Sequence, residues 1–454
     1  MITQKSNFQQ TILPRYKIET KAVSIALFVL LSFVNQIFSH VIGSNSLLIV
    51  SLLMTTSFIV LVNFRSSIHY QFFDALWIAS LVVVILNSFR TTMNLDFFSI
   101  NEYVSMFVYF AGVALMLFSG SKSENFNLSL KIILFFSIFY SISVWVQALI
   151  PSIYDKFLDL LNISYQKDIR NWESSGLYYT GFSTNPAFTA GHIVNGILLL
   201  FSFRKNGFFY RILRIVFLLL LFLFLFVSLL MTGKRAHLLF LTIAITSIYV
   251  FPYKGGKLFK KVKNIVICIV LLLVIVILLS EIFADIPTFS RFSSSLNTWL
   301  KGGDISSSRN RLYSHAWNQF KLNPLLGNGW GSYRLSTPGA ITTTIYQQTH
   351  NIYLQLLAEI GILGFIFVMI PIVTILLMTI HAVRDQESVE NNIWFSLLNY
   401  SLAYQLFFIL YGLTGNPMYD VNYLMMYFFS CSISMAYIRY QKPSLTSRKM
   451  VLKH

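Results

Sequence analysis

The segment "QTHNIYLQLLAEIGILGFIFVMI", residues 348–370, sets His350 and Asn351 at the head of an apolar run and carries Glu359, Gly361 and Gly364 along it. Imidazole titrates near neutrality, so a histidine at the mouth of a membrane helix is suited to take a proton from a hydroxyl. Polar groups at membrane depth are costly unless paired or wet, which makes them functional candidates by default. On a helix beginning near His350, positions 350, 354, 357, 361 and 364 share one stripe. Small residues let a neighbouring backbone approach, so the stripe predicts close packing of Gly361 and Gly364 against another span, with the histidine fixed at the outer mouth. Glu359 falls on the opposite side, where a hydrogen-bonded structural role is expected.

Cations supply the second half of the chemistry. Lys234 and Arg235 stand together in "MTGKRAH", and Arg309 and Arg311 open "SRNRLYSHAWNQFKLNPLLGNGWGSYR". In the latter, Leu312, Ala316 and Phe320 recur at helical spacing while Arg311, His315 and Asn318 share another face, which predicts a short amphipathic helix ended by Pro324. Gly327, Gly329 and Gly331 follow as a tight turn whose amides are able to approach an anion. Cations at one span start, cations in a long loop and a histidine at its end describe a wet, positive, outward-facing pocket for an anionic lipid-linked molecule. The sequence has no Asp-x-Asp pair, outer acidic cluster or His/Cys ligand spacing, so no metal or other cofactor is expected, and arginine takes the metal's place at the phosphate. Each residue also has a structural reading. These are a helix cap for His350 with Asn351, lipid headgroup contact for Lys234 and Arg235, solvated surface for Arg309, Arg311 and His315, and helix packing for His192.

The elements that position these residues follow from composition. Of 454 residues, 56% are hydrophobic and only 11% charged, and the apolar runs approach or reach the length that crosses hydrocarbon. The chain reads as an all-α polytopic membrane protein. Twelve spans are expected, at about 22–39, 44–64, 72–89, 101–119, 130–150, 187–203, 212–232, 236–252, 264–283, 351–380, 392–412 and 419–438. The net charge of +17 would suggest nucleic acid in a soluble domain; here most cations, Arg439 among them, fall in segments that the positive-inside rule assigns to the cytoplasm together with both termini. Nucleic acid is therefore not an expected partner, and the lipid bilayer is. Among short outer connections only Arg90, Lys234 and Arg235 break the rule. Cys268 and Cys431 lie in apolar spans, which excludes a disulfide framework, and the polar start leads into a retained span without a clear signal-peptide cleavage site. Three regions result: residues 1–283 with nine spans and an outer loop at 151–186, a large extracytoplasmic loop at 284–350, and residues 351–454 with three spans and a cytoplasmic tail.

At these residues the sequence resembles the O-antigen ligase and polymerase superfamily, the Wzy/WaaL-like membrane proteins that join lipid-linked glycans. The pattern is His, a polar residue, nine residues, Gly, two residues, Gly, met by His350, Asn351, Gly361 and Gly364. "TGKRA" is similar to the family's span start and sets its arginine at Arg235 beside Lys234. The loop signature of Arg, aromatic, Pro and Gly-x-Gly fits Arg311 more closely, with Arg309 the near alternative. "GFSTNPAFTAG" is a weaker echo that brings in Asn185. The resemblance implies a GT-C-like glycosyltransferase of the bacterial cytoplasmic membrane, active on the extracytoplasmic side with inversion at the donor sugar. The donor is then a glycan on undecaprenyl pyrophosphate, with His350 as general base, Arg235 and Arg311 at the pyrophosphate, and Arg309, Lys234, Asn351 and Asn185 as substrate contacts. A flippase and a chain-length regulator are implied as partners. A composition rich in Phe, Ile, Asn, Lys and Tyr suggests an AT-rich genome and favours a capsule or O-antigen repeat-unit polymerase over a ligase that uses a lipid A core. A lipid-linked oligosaccharide flippase is the rival from another class; the chain lacks the repeated halves typical of transporters.

Overall fold

A computed structural model of the chain describes residues 19–63, 72–95, 100–118, 122–174, 178–203, 211–252, 263, 286–301, 309–336, 348–385 and 393–440. All regular structure among them is helical. The helices run α1 Thr20–Gln36, α2 Asn45–Asn63, α3 Phe72–Leu95, α4 Ile100–Phe118, α5 Asn127–Leu149, α6 Pro151–Leu158, α7 Ile163–Ser174, α8 Pro186–Ser202, α9 Arg211–Met231, α10 Arg235–Val250, α11 Pro287–Leu300, α12 Arg309–Leu322, α13 Ser332–Ser336, α14 Ile352–Asp385, α15 Ile393–Tyr411 and α16 Val421–Tyr440. Six stretches, Asn45–Val62, Phe72–Thr91, Ser123–Leu149, Ile352–Asp385, Ile393–Tyr411 and Val421–Tyr440, are long and apolar enough to cross a membrane. Thr20–Gln36, Tyr103–Phe118, Pro186–Ser202, Val216–Met231 and Arg235–Val250 are shorter and also apolar. The protein is an all-helical integral membrane protein. The span expected at 264–283 lies outside the described residues, and each other expected span falls on one of these helices.

Burial runs against hydropathy here. α16 has the lowest mean hydropathy of the six, 1.3, yet 94% of its apolar window is buried, because α1, α4, α8, α14 and α15 all pack against it. Its hydroxyls find partners inside the bundle: Ser434 bonds Ser401 and Thr379, each at 2.8 Å. A helix whose polar side chains face protein is spared the cost of meeting lipid. Helices also occur within the two long connecting segments, α6 and α7 in 151–186 and α11, α12 and α13 in 284–350.

The end of the bundle opposite His350 holds a buried ion pair that counting cations by membrane side does not reveal. Arg439, read as one of the cations that set topology, is buried; it pairs with buried Asp74 of α3 and donates to the Met116 and Leu117 carbonyls of α4. The physical reason is that α4 ends in open carbonyls, and a guanidinium satisfies two of them and one carboxylate together.

Candidate functional site

His350 does not begin the helix. It precedes α14 with φ +55°, the single non-glycine residue with positive φ among the described residues, a conformation that costs on the order of 1–3 kcal/mol. Its neighbours hold it there. Thr349 Oγ1 donates to the Asn351 carbonyl at 2.7 Å and accepts from the Asn351 amide at 3.1 Å. Asn351 Oδ1 caps α14, accepting from the amides of Tyr353 and Leu354 at 3.1 and 3.2 Å, as an N-cap asparagine does. The Thr349 amide donates to Gln355 Oε1 at 3.3 Å, Asn416 donates to the same oxygen, and Gln355 Nε2 donates to Glu359 Oε1 at 3.0 Å. A hydrogen-bonded column thus runs from beneath His350 down to a fully buried carboxylate.

At that carboxylate the helix breaks. Gly361 has φ +63° and ψ −175° inside α14, and the segment after α12 fills the gap with its backbone. Ile362 and Leu363 amides donate to the carbonyls of Pro324 and Leu325 at 2.8 and 3.2 Å, while the Ala358 and Glu359 carbonyls accept from the amides of Asn328 and Gly329 at 3.2 and 2.6 Å. Irregular backbone at membrane depth is tolerated where protein satisfies it. Contact is so close that a Cβ on Gly361 would lie 2.4 Å from Leu325 backbone, and one on Gly327 2.3 Å from Glu359 backbone. The stripe expectation is corrected accordingly: Gly361 admits the loop's backbone, not a neighbouring span. The anion expected at the glycine-rich turn is also internal. Gly327 donates its amide to Asn323, Gly329 to the Glu359 carbonyl and Gly331 to Glu359 Oε2 at 2.7 Å; Tyr333 adds a 3.2 Å amide bond and Tyr419 a hydroxyl bond to the same carboxylate.

Cations gather around the strained histidine. Arg235, first residue of α10, donates to the Arg291 carbonyl at 2.7 Å and to Ser295. Arg291 donates to the Gly233 carbonyl, and its guanidinium lies 4.6 Å from the Tyr178 ring centroid, with Lys234 Nζ at 5.0 Å from the same ring. Arg309 donates to the Thr414 carbonyl at 3.3 Å. Lys234, Arg291 and Arg309 make no ion pair among the described residues, so neutral carbonyls and an aromatic face hold them while their charge stays available to a ligand. Burial, then Arg291 and Arg309, push the Lys234 ammonium down to about 7, against the pull of Asp420. Burial also pushes the Arg291 guanidinium down. The His350 ring is solvent-accessible, but protein walls the mouth around it; this desolvation, then the charges of Arg309 and Lys234, push its pKa down to about 4. Asp420, just before α16, is pushed up to about 7 by burial, with Arg334 and Lys234 opposing.

The structure therefore brings Lys234, Arg235, Arg309, His350 and Asn351 to one end of the bundle. Arg311 is exposed, since two residues along a helix turn a side chain to the far side; Arg309 is the arginine that α12 presents to the site. Asn185 caps α8, accepting from the Ala187 amide at 2.8 Å. Sequence reasoning missed Tyr178 and Asp420, and it counted Arg291 only as one cation of the 284–350 loop without singling it out. Asp420 carried a signal as a lone carboxylate in an apolar stretch. His192 packs between Phe33 and Tyr140, with centroids at 4.6 and 4.4 Å. Among the described residues no group of three or more His, Cys, Asp or Glu has the arrangement to hold a metal.

No curated protein matches the chain. Residues 219–369, which include α10, α11, α12 and the His350 end of α14, match the family model described as O-antigen ligase. This match supports the O-antigen ligase and polymerase superfamily for the segment that carries Lys234, Arg235, Arg291, Arg309 and His350.

Proposed function

We propose that the protein is a glycosyltransferase of the bacterial cytoplasmic membrane. In this reading it moves a glycan from undecaprenyl pyrophosphate to a sugar hydroxyl of a second lipid-linked unit on the extracytoplasmic side, as a repeat-unit polymerase. The observation that carries this reading is the gathering of Lys234, Arg291 and Arg309 near His350, with no ion pair to any of the three among the described residues and Arg235 beside them. A pyrophosphate leaving group develops charge as the glycosidic bond breaks, and fixed cations stabilise it without reorganising. His350 is neutral at physiological pH and takes the acceptor proton as that oxygen attacks. The donor's own anion offsets Arg309 and Lys234, so the histidine becomes a stronger base once the donor is bound. The cations of the site fill the role a metal has elsewhere, which makes the reaction metal-independent. A ligase that uses a lipid A core acceptor is the second reading, favoured by the description of the matching family.

The test is transfer by purified protein in a bilayer containing undecaprenyl-pyrophosphate repeat units, with EDTA present. A product ladder, lost in folded His350→Ala and Arg309→Ala, supports the polymerase. Products only after a lipid A core is added identify the ligase. Undiminished transfer by His350→Ala removes the general base, and loss of activity in EDTA removes metal independence.

A further inference from the structure

Three leucines at the site end of the bundle are exposed: Leu322 at 71%, Leu325 at 61% and Leu326 at 56%. Leu322 ends α12, the other two belong to the turn between α12 and Gly327, and that turn is not free to fold them away. Its Pro324 and Leu325 carbonyls are bonded to the Ile362 and Leu363 amides of α14, and its Leu326 carbonyl accepts from Arg90 Nη1 of α3 at 3.0 Å. Backbone bonds on both sides fix the side chains outward. Arg90, an exception to the positive-inside rule, thus spends its guanidinium on this turn.

Two apolar stripes lead to the same place. On α14, Leu363, Phe367 and Ile370 are exposed at helical spacing; on α3, Val82, Leu86 and Phe89 do the same. Both helices are long and apolar enough to cross a membrane and they pack together, so these stripes face acyl chains. Leu363 is the residue bonded to Leu325, and Phe89 adjoins the arginine bonded to Leu326, so both stripes continue into the three leucines. On α12, Trp317 is 45% exposed and Lys321 Nζ lies 6.0 Å from its ring centroid. An amphipathic ring beside a long cationic side chain suits the headgroup layer.

We propose that the Leu322–Leu326 turn is a membrane-inserted wedge. Its leucines enter the acyl chains of the bilayer leaflet on the site side, between α3 and α14, while Trp317 lies at headgroup level and Lys321 meets lipid phosphate. The occupant is bulk glycerophospholipid, because the surface is continuous with the lipid-facing stripes of two spans. The wedge sets the depth of the loop: the same backbone runs from α12, which carries Arg309, to the glycines that grip Glu359.

Nitroxide accessibility tests this in the full-length chain, with Cys268→Ser and Cys431→Ala as background, in phosphatidylethanolamine and phosphatidylglycerol vesicles. Leu325→Cys and Leu326→Cys are labelled, with Phe367→Cys as lipid reference and Arg311→Cys as aqueous reference. The expected result is an oxygen-to-nickel-chelate accessibility ratio several-fold above that at Arg311 and close to that at Phe367, without donor lipid. A ratio equal to that at Arg311 overturns the wedge. Protection from both probes also overturns it, since protein, such as a second copy of the chain, then covers the turn. Nickel access that is lost only on adding polyprenyl pyrophosphate overturns bulk lipid as the occupant. A second measurement needs no cysteine background: the fluorescence difference between wild type and Trp317→Phe is to be quenched by brominated phospholipid, and absence of quenching counts against headgroup placement.

Discussion

His350 combines a strained backbone with a position among cations, and the cations bear on its proposed role as a base. Its pKa lies down at about 4, below the ordinary 6.5, so the unliganded enzyme keeps a neutral base until pH falls through about 4. The acid limb of kcat/KM, which reports the free enzyme, is expected near pH 4. The limb of kcat is expected at higher pH, because bound pyrophosphate favours the imidazolium. Coincident limbs near 6.5 in a pH–rate series would sink this assignment. Lys234 gives the complementary prediction. With its pKa down at about 7, it is mostly neutral at pH 8, and an arriving phosphate anion raises it, so binding takes up protons. Calorimetric titration with inorganic pyrophosphate at pH 8, in two buffers of different ionisation enthalpy, is expected to show uptake that falls in Lys234→Met; equal heats in both buffers would refute it. Residue types were legible in the sequence, as histidine and paired cations are rare in such company. Burial and left-handed backbone were not, because both depend on chain from elsewhere.

Elements decide why the glycines are where they are. The run from Ile352 to Asp385 is apolar throughout, so periodicity gives one unbroken helix, and small residues in a membrane helix suggest helix packing. The break at Gly361 is set by a segment some thirty residues earlier whose backbone replaces the helix's own hydrogen bonds, and no local pattern encodes that exchange. Gly361→Ala and Gly327→Ala each meet backbone strain of roughly 1–3 kcal/mol and a comparable penalty for overlap in a packed site. Both are expected to lower the thermal unfolding midpoint and to abolish transfer. Glu359→Gln keeps the shape but removes the charge that accepts from two backbone amides, the Gln355 side chain and a tyrosine; hydrogen bonds to charged groups contribute about 1.5–3 kcal/mol each. Its expected signature is faster proteolysis of the 323–333 segment together with a fall in kcat. Unchanged proteolysis would mean that the carboxylate does not hold the loop.

At the scale of the whole molecule, the bundle is pinned at both ends by buried polar groups and is packed between them by a helix poor in hydropathy. The sequence made the helical membrane class plain, because apolar runs of this length have few other uses. It did not show that α16 lies inside the bundle, since length and hydropathy are blind to which spans meet lipid. Arg439 and Asp74 illustrate the same limit: the sequence offers residue 439 only as a cation at a span end, and its partner, residue 74, is too far away in sequence to be seen. Removing one partner of such a pair strands the other charge and costs about 3–5 kcal/mol, whereas replacing both with apolar residues of similar volume is often close to neutral. Asp74→Ala is therefore expected to lower the unfolding midpoint strongly, and Asp74→Leu combined with Arg439→Met to recover much of it. The pair sits at the end of α16 away from Asp420 and His350, so the fraction of Asp74→Ala that remains folded should transfer glycan with unchanged KM. A raised KM in that folded fraction would mean that the bundle transmits strain along α16 to the site; a double variant no more stable than Asp74→Ala would mean that the Met116 and Leu117 carbonyls, left without their donor, are what the guanidinium chiefly serves.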